Sequence, residues 1–297
     1  YQSAMATNSR AMMRSSNALS STSEATRPAK AISTVRLAVR RPTSPSSRLR
    51  RHGTGRLDAG DGHPRFEPGD EVYANLLDHG HGGFAEFVSV PVDVMSLKPT
   101  NLSFEEAAAV PMAAVTALQG LRHHGEIAPE QQVLINGGSG GIGTFAVQIA
   151  KSYGAEVTGV TSTRNIDLVR SLGADHVVDY TTTDFARAGQ RYDRILDTVG
   201  NRSVADLRRA LVDGGKAAVV GFTSIGRLMR TSLLGGKDVR MVSAHVTTKD
   251  LALLSELIES GHVRPQIDRR YPFEEIPAAI AYLEKGHARG KVVAGLA

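Results

Sequence analysis

The chain has 297 residues and a mass of 31.6 kDa, a length that fits about two domains. Its hydrophobic (41%) and charged (22%) fractions are ordinary for a globular protein, and no apolar run reaches the 18 or so residues of a membrane span. It contains no cysteine, which excludes disulfides, thiolate catalysis and every cysteine-ligated zinc site.

The net charge of +5 is unevenly spread. Of the 35 Lys+Arg and 30 Asp+Glu, residues 1–65 hold 12 and 3, leaving 23 and 27 for the rest. That larger part has no basic excess to neutralise phosphates, so the composition argues against a nucleic-acid partner.

Residues 1–65 carry 17 Ser+Thr, and Ala25 to Leu57 contains no acid. No sustained hydrophobic period runs through them, which argues against a packed fold. Tyr1 to Met5 reads as a tag scar ahead of a natural start. The remainder has three readings: a disordered basic tail, an Arg/Ser-rich transit peptide, or translation from a shifted frame. The transit-peptide reading, over residues 6–50, implies a mitochondrial location; without it the expected location is cytoplasmic. The skew of 27 Arg to 8 Lys fits a GC-rich gene and motivates the third reading.

From Phe66 the pattern changes. Phe66-Glu-Pro-Gly-Asp-Glu-Val-Tyr73 reads as a turn feeding a strand, and Gly83 to Val90 alternates like a half-buried strand. Ser103 is placed to cap a helix, with Glu106 at the capping-box position. That helix runs on through an Ala-rich stretch interrupted by Pro111.

A strand–helix alternation begins at Gln132. Strands are predicted at Val133–Ile135, Glu156–Val160, His176–Val178, Arg194–Leu196, Ala217–Val220 and Val239–Ser243. Helices are predicted at Ile142–Tyr153, Arg164–Leu172 and Asp250–Ser260, with Gly154, Gly173 and Gly261 after them. Repeated βα units with short loops imply an α/β fold with a parallel, doubly wound sheet. The tail adds an extended piece (Pro265–Tyr271), a helix (Glu274–Glu284) and a strand (Lys291–Ala294).

Gly138-Ser139-Gly140-Gly141-Ile142-Gly143 matches G-x-G-x-x-G between a strand and a helix. The first glycine makes the turn, the second admits a pyrophosphate, and the third lets helix and strand pack closely. The same stretch spells G-x-S-x-G around Ser139, the nucleophile elbow of an α/β-hydrolase. His79 to Gly83 would then be an oxyanion loop, and Asp197 with His262 or His287 the remaining triad. Against this, five predicted strands follow Ser139, whereas such an elbow lies late in its sheet.

At the end of the second Rossmann strand stands Thr161-Ser162-Thr163-Arg164, where an NAD site has an acid. Hydroxyls and a guanidinium suit a 2′-phosphate, so NADPH is the expected cofactor. Arg164 as a solvated helix-start residue is the competing reading. Asp78, His79 and His81, or His123 and His124, could be drawn as metal ligands, but solvated histidines are the simpler account, and no metal is expected. Tyr73 is a candidate proton donor or a packed strand tyrosine.

These residues resemble the medium-chain dehydrogenase/reductase superfamily in its zinc-free quinone oxidoreductase branch, including proteins of the mitochondrial reticulon-4-interacting type. The likeness rests on Leu134 to Gly143, Ala146 to Lys151, and further stretches from Phe66 to Val293. It implies a Rossmann domain (113–261) inserted in a split GroES-like β domain (66–112 and 262–297). That GroES-like domain is incomplete at its N-terminal side: nothing in residues 1–65 matches the family's first barrel half or its Asn-Pro-x-Asp loop. The resemblance implies hydride transfer from NADPH to a quinone or α,β-unsaturated carbonyl. It places Gly138 to Gly143 at the pyrophosphate, and Ser162, Arg164 and Tyr180 around the 2′-phosphate. Thr198, Gly221, His287, Ala288 and Arg289 fall along the cofactor, and Thr116 near the nicotinamide. A homodimer through the Asp238–Ala244 edge strand is implied as well. No catalytic residue is assigned, and a catalytically impaired NADPH-binding protein is the alternative.

Overall fold

The computed structural model describes residues 66, 69–76, 84, 85, 88, 94–221 and 223–295. Its centre is a six-stranded sheet of β3 (Gln132–Asn136), β4 (Glu156–Thr161), β5 (His176–Asp179), β6 (Tyr192–Asp197), β7 (Leu211–Val219) and β8 (Val239–Met241). The spatial order is β5-β4-β3-β6-β7-β8, and every neighbouring pair is parallel. The strand order reverses between β3 and β6, so a crevice opens at the carboxyl ends of the strands there.

Strand side chains alternate between the two faces. Val133, Ile135, Val157 and Leu196 join one core, with α2 (Pro111–Arg122), α3 (Gly143–Ser152) and α7 (Thr248–Glu259). Leu134, Val160, Ile195 and Val219 join the other, with Phe185, Tyr192 and α5 (Val204–Ala210). Both faces are covered, as a parallel sheet requires.

Around this sit smaller pieces. β1 (Val72–Ala74) pairs antiparallel with β2 (Met95–Leu97). α1 (Phe104–Ala108) carries the expected capping box: Ser103 Oγ accepts the Glu106 N–H, and the Glu106 carboxylate accepts the Ser103 N–H. Pro111 does not break a helix but starts α2, where its missing N–H costs nothing. β9 (Ile267–Pro272) pairs parallel with β10 (Lys291–Gly295), and α8 (Ile276–Glu284) joins them. The tail touches α1: Arg270 pairs with Glu106 at 3.8 Å, and a Cβ on Gly295 would lie 3.0 Å from Glu105 Oε1.

Several boundaries differ from the sequence reading. The helix expected from Arg164 resolves into a single 3-10 turn (Thr163–Asn165) and a short α4 (Ile166–Ser171). β7 begins at Leu211 rather than Ala217, with left-handed Gly214 inside it and a register shift against β6. Two helices were not anticipated, α5 and α6 (Ile225–Leu234). Of the strand expected at Gly83–Val90, only Phe84, Ala85 and Val88 are described; Asp78, His79 and His81 lie outside the described residues.

Candidate dinucleotide site at the glycine loop

The loop after β3 is built by close backbone approach. Gly137 is left-handed (φ +90°), and the N–H groups of Gly137 and Gly138 both donate to Val160 O, at 3.1 and 2.9 Å. The Gly140 N–H closes the turn onto Gly137 O at 2.9 Å. A Cβ on Gly143 would lie 2.0 Å from Gly137 O, so only glycine can start α3 there. Among the described residues, none accepts from the N–H groups of Ser139, Gly141, Ile142 or Gly143. Free amides at a helix start present partial positive charge to an anion.

Ser139 Oγ accepts from Thr161 Oγ1 at 2.7 Å and from Asn165 Nδ2 at 3.1 Å, which leaves its own proton to give. The hydrolase triad does not assemble. Asp197 Oδ1 accepts from the N–H groups of Val199 and Gly200 and from Asn136 Nδ2. Asp197 is fully buried, which raises its pKa. His262 bonds Ser260 Oγ at 2.8 Å. Asp197 therefore shapes the loop after β6 rather than orienting a histidine.

Four predicted residues gather at the end of β4. Ser162 Oγ accepts from Asn165 Nδ2 at 3.3 Å. The Arg164 side chain is exposed, with no bonded partner among the described residues. The Tyr180 N–H donates to Thr161 O at 2.9 Å and its ring is exposed. Arg289 arrives from the tail, its guanidinium donating to Arg164 O at 3.2 Å. One acid stands nearby, Asp179, but its carboxylate accepts from the hydroxyls of Thr163 and Thr181 and from the Thr181 N–H. Those bonds lower its pKa.

Thr198 and Gly221 lie at the ends of β6 and β7. Thr198 Oγ1 donates to Asn136 O at 2.8 Å and fills the space a Gly137 side chain would need. A Cβ on Gly221 would come within 2.3 Å of Thr198 O. His287 and Ala288 precede Arg289 on the turn into β10, and His287 is exposed.

Two candidates have committed hydroxyls. Thr116 Oγ1 donates to Met112 O one turn back in α2, at 2.6 Å. Tyr73 Oη donates to Leu251 O at 3.0 Å and bonds Ser255 Oγ at 3.0 Å, both on α7. Burial pushes the Tyr73 phenol up to about 12. The structure therefore favours the packed strand tyrosine over the proton donor.

Two residues at the loop escaped sequence reasoning. Asn165 is buried and joins Ser139 to Ser162. Lys291 is only 7% exposed, and a Cβ on Gly141 would lie 3.1 Å from its Cδ. Burial lowers its pKa to about 8. A cation opening the apolar run Val292-Val293-Ala294 was the available signal. Free amides, unpaired cations and a cradle that only glycine fits suit a dinucleotide. Among the described residues, no three His, Asp or Glu side chains form a metal-ligand group.

Comparison with known proteins agrees with this geometry. The family described as zinc-binding dehydrogenase matches residues 172–293. The chain is similar to the mouse (Mus musculus) mitochondrial NAD(P)H oxidoreductase RTN4IP1, 35% identical over 258 residues. That alignment covers 77% of this chain and 65% of the mouse protein. It is also similar to the chloroplastic NADPH-dependent alkenal/one oxidoreductase of Arabidopsis thaliana, 35% identical over 238 residues, covering 77% and 58%. The chain thus spans less than two thirds of the length of these two relatives. Among solved structures, the quinone oxidoreductase of Coxiella burnetii superposes with a TM-score of 0.71 at 30% identity, covering 78% of this chain and 74% of that one.

Proposed function

Because the chain belongs to the medium-chain dehydrogenase/reductase superfamily, in its quinone oxidoreductase branch, we propose that it is an NADPH-dependent oxidoreductase acting on a quinone or an α,β-unsaturated carbonyl. The observation that carries this reading is the glycine loop, where Gly143 packs on Gly137 and the amides of Ser139, Gly141, Ile142 and Gly143 stay free. Bound there, NADPH would supply the hydride, since the cofactor carries the hard chemistry. The protein's own residues bind and orient. Gly138 to Gly143 hold the pyrophosphate, and Ser162, Arg164 and Tyr180, with Arg289 beside them, surround the 2′-phosphate. Thr198 and Gly221 close the strand ends near the cofactor, with His287 and Ala288 at its outer edge.

The contact of Arg270 with Glu106 supports grouping residues 66–112 and 262–297 in one GroES-like part around a Rossmann part, 113–261. A homodimer through residues 238–244 belongs to the same proposal. β8 is an edge strand of the sheet, and open edges invite pairing. Light scattering giving the mass of a single chain at micromolar concentration would remove the dimer.

The experiment is a fluorescence titration with NADPH and NADH, followed by NADPH oxidation with a panel of quinones and enones. Binding and turnover are expected. Binding without turnover on any acceptor would identify a cofactor-binding protein without reductase activity. No binding of either dinucleotide would overturn the reading.

A further inference from the structure

Among the described residues, Lys291 is buried without a countercharge. Its backbone N–H donates to Gln266 O at 2.8 Å, and its side chain runs along Gly141, with Nζ 3.7 Å from where a Gly141 Cβ would be. Among the described residues, no carboxylate pairs with it and no side-chain or backbone acceptor is bonded to its Nζ. Little of Lys291 meets water, and a poorly solvated ammonium without a partner is unfavourable, so such a group is either neutral or placed for an anion that arrives later.

The surrounding groups do not offer that anion. The glycine loop from Gly137 to Gly143 has no titratable side chain. On β9, the Asp268 carboxylate already accepts from Tyr282 Oη at 2.7 Å and from the Arg289 N–H at 3.0 Å. Arg269 on the same strand stacks over Tyr282, and Arg270 pairs with Glu106. Glu105 on α1 lies at the other end of β10, against Gly295. The turn before β10 brings Lys285, His287 and Arg289, none of them an acid. Gly141, one of the loop residues whose amide has no acceptor among the described residues, is the one the lysine stem lies against.

We propose that Lys291 is the buried counter-ion of the dinucleotide pyrophosphate, and that it takes up its proton as the dinucleotide binds. This rests on the cofactor reading above. Without ligand, burial lowers the lysine pKa to about 8, so near pH 9 it is largely neutral. A pyrophosphate held against the loop favours the charged form and draws a proton in. Gly141 has a second reason to be glycine here, because any side chain would displace the lysine stem.

The test is isothermal titration calorimetry of the full chain in two buffers of different ionisation enthalpy. NADPH binding should take up clearly more proton at pH 9 than at pH 7. Adenosine 2′-phosphate, which lacks a pyrophosphate, should bind with no uptake at pH 9. Lys291→Met should abolish the uptake and weaken NADPH roughly 10-fold or more at pH 7, while leaving adenosine 2′-phosphate unchanged. The wild-type comparison of the two ligands stands even where the variant fails to fold. NADPH binding at pH 9 without proton uptake would overturn this inference alone. Absence of NADPH binding would overturn the cofactor reading and this inference with it.

Discussion

The main-chain oxygen of Arg164 accepts a hydrogen bond from the guanidinium of Arg289, 125 residues further along the chain, at 3.2 Å. Two arginines from distant segments thereby meet at one strand end, and the carboxylate nearby, Asp179, is engaged by Thr163 and Thr181. Among the described residues, positive charge at that corner is left without a carboxylate partner.

Cofactor preference follows. A 2′-phosphate carries about −1.5 to −2 charge, and a charge-assisted hydrogen bond contributes about 1.5–3 kcal/mol. NADPH should bind roughly 10- to 100-fold tighter than NADH. Because Arg164 is exposed, the margin should narrow with added salt. Arg164→Ala should weaken NADPH far more than NADH, and Ser162→Asp should narrow or invert the preference. Equal affinities in the wild type would make Arg164 only a solvated helix-start residue.

Gly143→Ala tests the loop itself. Its methyl carbon would stand 2.0 Å from Gly137 O, and 2.9 Å from Gly138 Cα. Backbone on both sides cannot step aside cheaply, so a loss of about 1–3 kcal/mol or more in stability is expected. NADPH affinity should fall with it. Thermal melting and NADPH titration of the variant read both effects; a variant that melts and binds like the wild type would show that the loop has another shape.

Tyr73→Phe separates structure from chemistry. Removing Oη takes away the bonds to Leu251 O and Ser255 Oγ and should cost about 0.5–1.5 kcal/mol in chemical denaturation. NADPH affinity and kcat/KM should stay at wild-type values. A selective fall in kcat at unchanged stability would restore the phenol as a proton donor.

Stability should depend on pH through Lys291. Its folded-state pKa, about 8, lies below the 10.5 of an ordinary lysine. Between those values the unfolded chain holds a proton that the folded chain lacks, so ligand-free stability rises with pH across that window. The gain is at most about 1.4 kcal/mol per pH unit. Urea unfolding at pH 7.5, 8.5 and 9.5 should show the wild type gaining on Lys291→Met. Parallel pH profiles for the two chains would mean that the lysine is solvated.

What the sequence disclosed was local. β3, the glycine loop and α3 follow one another within 25 residues, and turn, strand and helix signals all agree there. Ser103 and Glu106 are likewise a signature read three residues apart. The missed helix α6 shows the limit of periodicity. Its apolar residues Ile225, Met229 and Leu233 do recur at helical spacing, yet they face solvent, so no core pattern marks them. Lys291, Tyr73 and Asn165 take their roles from partners that the fold supplies. Tyr73 meets Leu251 across 178 positions, and no spacing rule reaches that far.

The tail's part in the loop also sets an order of assembly. The six-stranded sheet is complete at Met241, some fifty residues before Lys291. A chain leaving the ribosome therefore carries a finished glycine loop whose far wall is still missing. Capture of the dinucleotide becomes a late event, following the docking of β10 rather than the folding of the sheet. Chains in which α7 has emerged but β10 has not should resist protease across the sheet and yet retain no NADPH; retention before β10 has emerged would show that the loop suffices alone.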